Sequence, residues 1–297
     1  DAIFSDVNAT AYGLTGEGMS AIDSIGESFR NAKERIYNVA GQALQRLGAR
    51  PEALAEADRR QDGFAAFVEL HIEQGPMLER EGLEIGAVTD IVGIRRAQLF
   101  FEGRPDHAGT TPMNERSDAL VAAAIVIRQA QRLALQWSRS TPHYVVATVG
   151  RMNVSPNASN TVPGQVDLTL EVRSNHAPLL QEFWEILARR CGPAIGRLGV
   201  NWRVEPRTHV DPVTCAPLIA AAVEQSAQRL GLGCRRMPSG AGHDAMYLAQ
   251  TGLSGMIFIP CLDGRSHSAV EWASPGQVLA GTQVLAATLL NLDEQMD

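Results

Sequence analysis

The stretch "VELHIEQGP" (68–76) places one histidine, His71, between two acidic residues, Glu69 and Glu73. The residues leading into it are apolar and β-rich, so "FAAFVELHI" (64–72) predicts a buried strand, and "EQGPMLEREG" (73–82) a turn and a short helix. Ligands collect at strand ends in α/β sheets. His267, in "CLDGRSHSAVE" (261–271), stands in the same kind of position after the apolar strand "LSGMIFIP" (253–260). Two such histidines could share a metal ion. Many strand-end histidines are merely hydrogen-bonded, and spacing alone leaves both readings open.

Outward from these strands the chain changes texture twice. Residues 1–30 lack a sustained period and read as irregular, and residues 30–60 favour helix with a break near Gly48 and Pro51. From 87 onward the order is a strand with a central glycine (87–103), an amphipathic helix (115–137), two strands (143–154 and 164–174) joined by "SPNASNTVPG", a second long helix (178–199) and a strand (200–207). Strand, helix, strand, strand, helix, strand is the split βαβ pattern of a ferredoxin-like α/β sandwich. After 210 come a helix (216–232), the start of another at "GHDAMYLAQ", the buried parallel-type strand 253–260 and a closing helix (274–295). The expectation is an α/β protein: a main domain of 1–89 and 206–297, interrupted by a smaller sandwich of 90–205.

Composition narrows the class. The chain has 297 residues, 45% apolar and 20% charged, enough for a full core. The net charge is −7 and no long basic run appears, which argues against nucleic acid. Apolar runs such as "LVAAAIVI" (120–127) are too short to span a bilayer. No signal peptide is visible, and Cys191, Cys215, Cys234 and Cys261 form no C-x-x-C pair, so reduced thiols of a cytoplasmic protein are expected. The first residue is Asp1, so a processed, trimmed or partial chain is expected.

Three further stretches could carry chemistry. "SGAGHDA" (239–245) is a glycine-bracketed loop opening a helix, whose N–H groups could hold an oxyanion or carboxylate, or could be an ordinary helix start. "DHAGTTPM" (106–113) sets His107 in a turn. "NASNTVPG" offers Asn157 and Asn160 ahead of the strand ending at Arg173, which either faces solvent or clamps a carboxylate.

Taken in order and spacing, "VELHIEQGP", "GRPDHAGTTPMNERSDA", "SPNASNTVPG", "MPSGAGHDA" and "IFIPCLDGRSHS" resemble the dinuclear-metal amidohydrolases: allantoate amidohydrolases, N-carbamoyl-L-amino-acid hydrolases and β-ureidopropionases. The resemblance covers roughly residues 36–292. It implies a three-layer zinc-aminopeptidase-like catalytic domain, incomplete at its N-terminus, with an inserted dimerisation domain. It also implies two divalent metal ions (Zn²⁺, Mn²⁺ or Co²⁺), a homodimer, and a small substrate bearing a carboxylate and a ureido or carbamoyl group. His71 and His267 match metal ligands, and Gln74 lies beside them. His107 matches the insert histidine that reaches the partner's active site. Asn160 and Arg173 match carboxylate binders, and Gly240, Ala241 and Gly242 the substrate-side loop. The chemistry agrees: an unactivated C–N bond needs an activated water, a proton shuttle, an oxyanion donor and a carboxylate clamp.

The chain departs from that pattern in its remaining ligands. It holds no Glu-Glu pair to supply the general base, and its only His-x-Asp, His209 to Asp211, follows the insert. Glu17 or Glu27 could substitute. Two histidines alone would bind metal poorly, so the chain by itself is expected to be nearly silent. Two readings follow: part of an amidohydrolase, or a non-catalytic relative keeping a dimer module and a ligand pocket. Ile94 stands where allantoate-cleaving relatives often carry Gln, which favours an N-carbamoyl amino acid.

Overall fold

Unbroken apolar runs build one sheet of this chain and strict alternation builds another. The structure is a computed structural model and describes residues 64–296 together with Gln45, Arg46, Gly48, Arg50, Ala53 and Glu56. By compactness the chain divides into residues 1–61 and 62–297. All elements named below belong to the second unit. The irregular stretch expected over 1–30, most of the helix expected over 30–60, and Glu17 and Glu27 lie outside the described residues.

The first elements are β1 (Ala66–Ile72), α1 (Met77–Glu81), β2 (Ile85–Ile91), β3 (Gly93–Glu102) and a two-residue strand β4 (Asp106–His107). Then come α2 (Ala119–Ser140), β5 (Val145–Ser155), β6 (Thr161–Val162), β7 (Gln165–Ser174), α3 (Ala177–Arg197) and β8 (Asn201–Val210). The chain closes with β9 (Val213–Thr214), α4 (Pro217–Arg229), β10 (Cys234–Ser239), α5 (Ala245–Leu248), β11 (Leu253–Ile259) and α6 (Pro275–Met296).

The first sheet runs β1-β11-β2-β10, with β9 on β2. Its central strand β11 is buried from Ser254 to Ile259, as an apolar run covered on both faces should be. Ile257 and Ile259 face α4 and α6, packing with Ile219, Val223, Val284 and Leu292. Met256 and Phe258 face the other way, toward Leu78, Ala245 and Met246 of α1 and α5. Helices thus cover both faces and make three layers. Gly255 is where α4 comes closest: a Cβ there would lie 2.4 Å from Ile219 Cγ2.

Between β2 and β9 the chain leaves this sheet and builds another, ordered β5-β7-β3-β8 and antiparallel throughout. In β7, Val166, Leu168, Leu170 and Val172 are buried against α2 and α3, while Asp167, Thr169, Glu171 and Arg173 take the opposite face. Element order and sheet order together make the split βαβ arrangement.

Several expectations need correction. The helix expected from 115 starts at Ala119, because Asp118 caps it by accepting from the N–H of Leu120 (2.9 Å) and Val121 (3.1 Å). The strand 253–260 is parallel to β1 but antiparallel to β2, so the sheet is mixed. The helix begun at "GHDAMYLAQ" ends after one turn, where Thr251 N–H and Gly252 N–H both close on Leu248 O. Strand β10, "CRRMPS", carries too many charges and a proline to read as a strand. Tertiary pairing holds it: a parallel ladder with β2, and ion pairs from Arg235 to Glu81 and Arg236 to Glu224.

Candidate functional site

Strand pleating puts Glu69 and His71 on one face of β1. The two acids flanking His71 then part company. Glu73 is buried, and its carboxylate accepts from the N–H of Met77 and of Leu78, both at 2.8 Å. It caps α1 and so is committed to structure. Glu69 reaches the other helix start, where Oε2 accepts from Ala245 N–H at 2.9 Å. Its Oε1 lies 3.7 Å from Nδ1 of His243.

His71 Nδ1 sits 2.8 Å from Ile72 O. A carbonyl only accepts, so Nδ1 carries the proton and Nε2 keeps its lone pair. The His243 ring meets that of His71 edge-on, with centroids 4.7 Å apart. Its Nε2 is 2.7 Å from Ser239 Oγ. Burial, then the neighbouring His71, push the His243 imidazole down to about 4, so it is neutral at pH 7. Glu69, His71 and His243 each present one ligand atom, all within 4.8 Å of one another, and no other such cluster occurs among the described residues.

His71 opens onto a cavity of about 980 Å³. Gln74, Arg173, Gly240, Ala241, Gly242 and His267 line it with His71, alongside Ile94 and Tyr144. Gln74 (φ 57°) and His267 (φ 55°) both hold left-handed backbone without being glycine, a strain that clusters at functional sites. His267 donates its backbone N–H to Glu271 at 2.9 Å. It stands on the rim of the cavity, exposed, and is not part of the three-residue cluster.

Arg173 reaches out of the second sheet toward the first. Its Nε donates to Glu171 at 2.7 Å and its Nη1 to Gly240 O at 3.0 Å, tying the glycine loop to β7. Burial pushes Glu171 up, but Arg96 and Arg173 outweigh it and hold the carboxyl below its usual range. Ile94 is paired with Arg173 across the β3–β7 ladder. Gly240 lets the loop approach Tyr144 closely: a Cβ would sit 2.6 Å from Tyr144 Oη, so the phenol would have to shift. Burial raises the Tyr144 phenol above its ordinary value.

His107 and Asn160 are brought together, but not on this cavity. They sit on the β4–β6 ribbon, where Ala108 N–H donates to Asn160 O at 2.9 Å. His107 Nδ1 accepts from Gly109 N–H (3.0 Å) and Thr110 N–H (3.2 Å), which leaves the proton on an exposed Nε2. His209 and Asp211 form an exposed pair at 3.3 Å, with Arg95 on the same carboxylate. Glu69, His243, Ser239 and Tyr144 are the site residues that sequence reasoning missed. For Glu69 the i, i+2 spacing to His71 was the available signal. His243 stood inside a motif read only for its glycines.

The model of Peptidase family M20/M25/M40 matches residues 40–291. The N-carbamoyl-L-amino-acid amidohydrolase of Paenarthrobacter aurescens is 42% identical over 252 residues, 85% of this chain and 60% of that protein. The allantoate amidohydrolase of Bacillus subtilis (strain 168) is 34% identical over 77% of this chain and 55% of its own length. Among solved structures, an amidase of the hydantoinase/carbamoylase family from Burkholderia multivorans superposes with a TM-score of 0.74 at 40% identity, over 77% of this chain and 55% of that one. The chain spans 60% or less of the length of these relatives. With a family match that runs through both sheets and every residue lining the cavity, the chain belongs to peptidase family M20/M25/M40.

Proposed function

We propose that this chain is part of a metal-dependent amidohydrolase that cleaves the C–N bond of a carbamoyl or ureido group, with an N-carbamoyl-L-amino acid as the preferred substrate and allantoate as the alternative. The observation that carries the reading is the single cavity on which His71, His267, Arg173 and the 240–242 loop converge. Members of the family generally bind divalent metals, and the imidazole and carboxylate donors beside the cavity fit a Zn²⁺, Mn²⁺ or Co²⁺ ion. A divalent ion, when bound, supplies Lewis-acid activation of water near neutral pH.

The chain's own groups do the rest. Arg173 and Asn160 hold the substrate carboxylate, Gln74 and the 240–242 backbone orient the ureido end, and Ile94 gives the wall an apolar face. His107 presents an N–H for the developing oxyanion. Because His107 and Asn160 lie off the cavity lining, the reading pairs them with the site of a second copy. Residues 90–205 then act as the dimerisation module inserted in the catalytic domain of 1–89 and 206–297. Four free thiols support a cytoplasmic setting.

The test is turnover by the protein at the length of its relatives, with N-carbamoyl-L-amino acids and allantoate compared side by side for ammonia release. Faster allantoate hydrolysis would reverse the substrate preference. No metal-dependent release from either would remove the proposal.

A further inference from the structure

We propose that Met77, Ile94, Tyr144 and Met237 form a subsite for the side chain of the substrate, and that the substrate class is N-carbamoyl amino acids with long or aromatic apolar side chains. The inference rests on the hydrolase reading and extends it from the reacting group to the rest of the molecule.

The cavity reaches well beyond His71. His71 pairs with Phe258, Phe258 with Gly86, and Gly86 with Arg235. Residues paired across a sheet share a face. His71 and Arg235 therefore stand on one face, three strand spacings or about 14 Å apart, and both line the cavity. With the carbamoyl group toward His71 and the carboxylate on Arg173, much of the length toward Arg235 is left over. The volume of about 980 Å³ lies at the upper end of the roughly 300–1,000 Å³ that holds drug-sized ligands, far more than those two groups fill.

The walls of the remainder are apolar. In the second sheet, Ile94 and Val146 flank Arg173 on the ladder, and Tyr144, two positions before Val146, continues the same face. Ile94 and Tyr144 line the cavity on either side of Arg173. In the first sheet, Met237 lies two positions along β10 from Arg235 and so shares its face, while Met77 opens α1. Charge at the far end is already compensated, because Arg235 pairs with Glu81. An acidic side chain would have to displace Glu81 and a basic one Arg235, whereas an apolar one displaces neither. Two of the four lining groups are thioethers, unbranched and polarizable, which adapt to different shapes. Such a wall separates a long apolar side chain from none and blunts the distinction between one such side chain and another.

The experiment measures kcat/KM of the protein at its relatives' length for the N-carbamoyl derivatives of glycine, L-methionine, L-phenylalanine and L-aspartate. The methionine and phenylalanine compounds should exceed the glycine compound by about 10–150-fold, the factor that corresponds to burying one such side chain. The aspartate compound should do no better than glycine. Tyr144→Ala should cut the methionine-to-glycine ratio by about tenfold, and Met77→Ala by about threefold. Tyr144→Phe keeps the ring and should hold the ratio within about threefold, which separates an apolar wall from a phenol hydrogen bond. Thermal melts check that each variant folds. Should Tyr144→Ala fail, Met77→Ala decides, because Met77 is exposed at a helix start. Equal kcat/KM for all four compounds, a preference for aspartate, a ratio that survives both alanine variants or a ratio lost in Tyr144→Phe would overturn this inference and leave the hydrolase reading standing. Turnover of none of the four would overturn the hydrolase reading and this inference with it.

Discussion

Arg173→Lys tests the substrate end of the cavity. The guanidinium makes two contacts at once, Nε to Glu171 at 2.7 Å and Nη1 to Gly240 O at 3.0 Å. A lysine ammonium is one point charge on a flexible stem and keeps at most one of them. Glu171 does not become orphaned, because Arg96 still pairs with it. The Arg173 side chain is also 30% exposed, so solvent screens the lost contact and the stability cost should be only about 1 kcal/mol. For a unit of this size that is a Tm lower by roughly 2–4 °C. Binding should suffer more. A charge-assisted bidentate pair to a substrate carboxylate is worth about 1.5–3 kcal/mol, so KM for an N-carbamoyl-L-amino acid should rise about tenfold or more. The assay is steady-state turnover by the protein at its relatives' length, run in parallel with the matching N-carbamoyl amine that lacks the carboxylate. The amine should bind weakly to both proteins and respond little to the substitution. An unchanged KM for the amino acid, or an equal loss for both compounds, would refute the carboxylate role.

The other expectations are simpler to check. Gly240→Ala should cost about 1–3 kcal/mol by overpacking, since its Cβ falls 2.6 Å from Tyr144 Oη. Adding Tyr144→Phe removes that oxygen and should recover part of the loss, a coupling of at least about 0.5 kcal/mol in thermal or urea melts, whereas strict additivity would exclude the contact. Burial pushes the thiols of Cys191 and Cys234 up to about 11 and that of Cys215 up to about 12, so at pH 8 they stay protonated and inert. Native chain should therefore react slowly with a thiol reagent and unfolded chain with four equivalents. Rapid stoichiometric labelling of the native chain would contradict it. Light scattering should give a mass near twice the 32.0 kDa of one chain, and a strict monomer at tens of micromolar would count against the paired site.

What the sequence made legible follows from which signals are local. Period-2 alternation in β7 and the continuous apolar run of β11 each follow from how the faces of a strand are covered, so both strands could be read before any fold was known. β10 could not, because two arginines and a proline have no intrinsic preference for a strand. The arginines pair there with Glu81, 154 positions away, and with Glu224, 12 positions upstream on α4, while the ladder with β2 sets the strand. The site divides in the same way. His71 and His267 announce themselves at strand ends, and Arg173 as a charge in an alternating strand. The companions of His71 are set by tertiary contact: Glu69 is opposite the start of α5, 176 positions along the chain, and His243 arrives from the loop between β10 and α5. Glu69 and Glu73 make the sharper case. They flank His71 symmetrically in the sequence, and nothing local tells them apart. The difference lies in where the next helices begin. Glu73 accepts with both carboxylate oxygens from the N–H groups of Met77 and Leu78 at the start of α1. Glu69 spends only one on α5 and keeps the other beside His243. A carboxylate with both oxygens bound to a helix start is part of the scaffold, and one with a single oxygen bound is positioned to take a ligand.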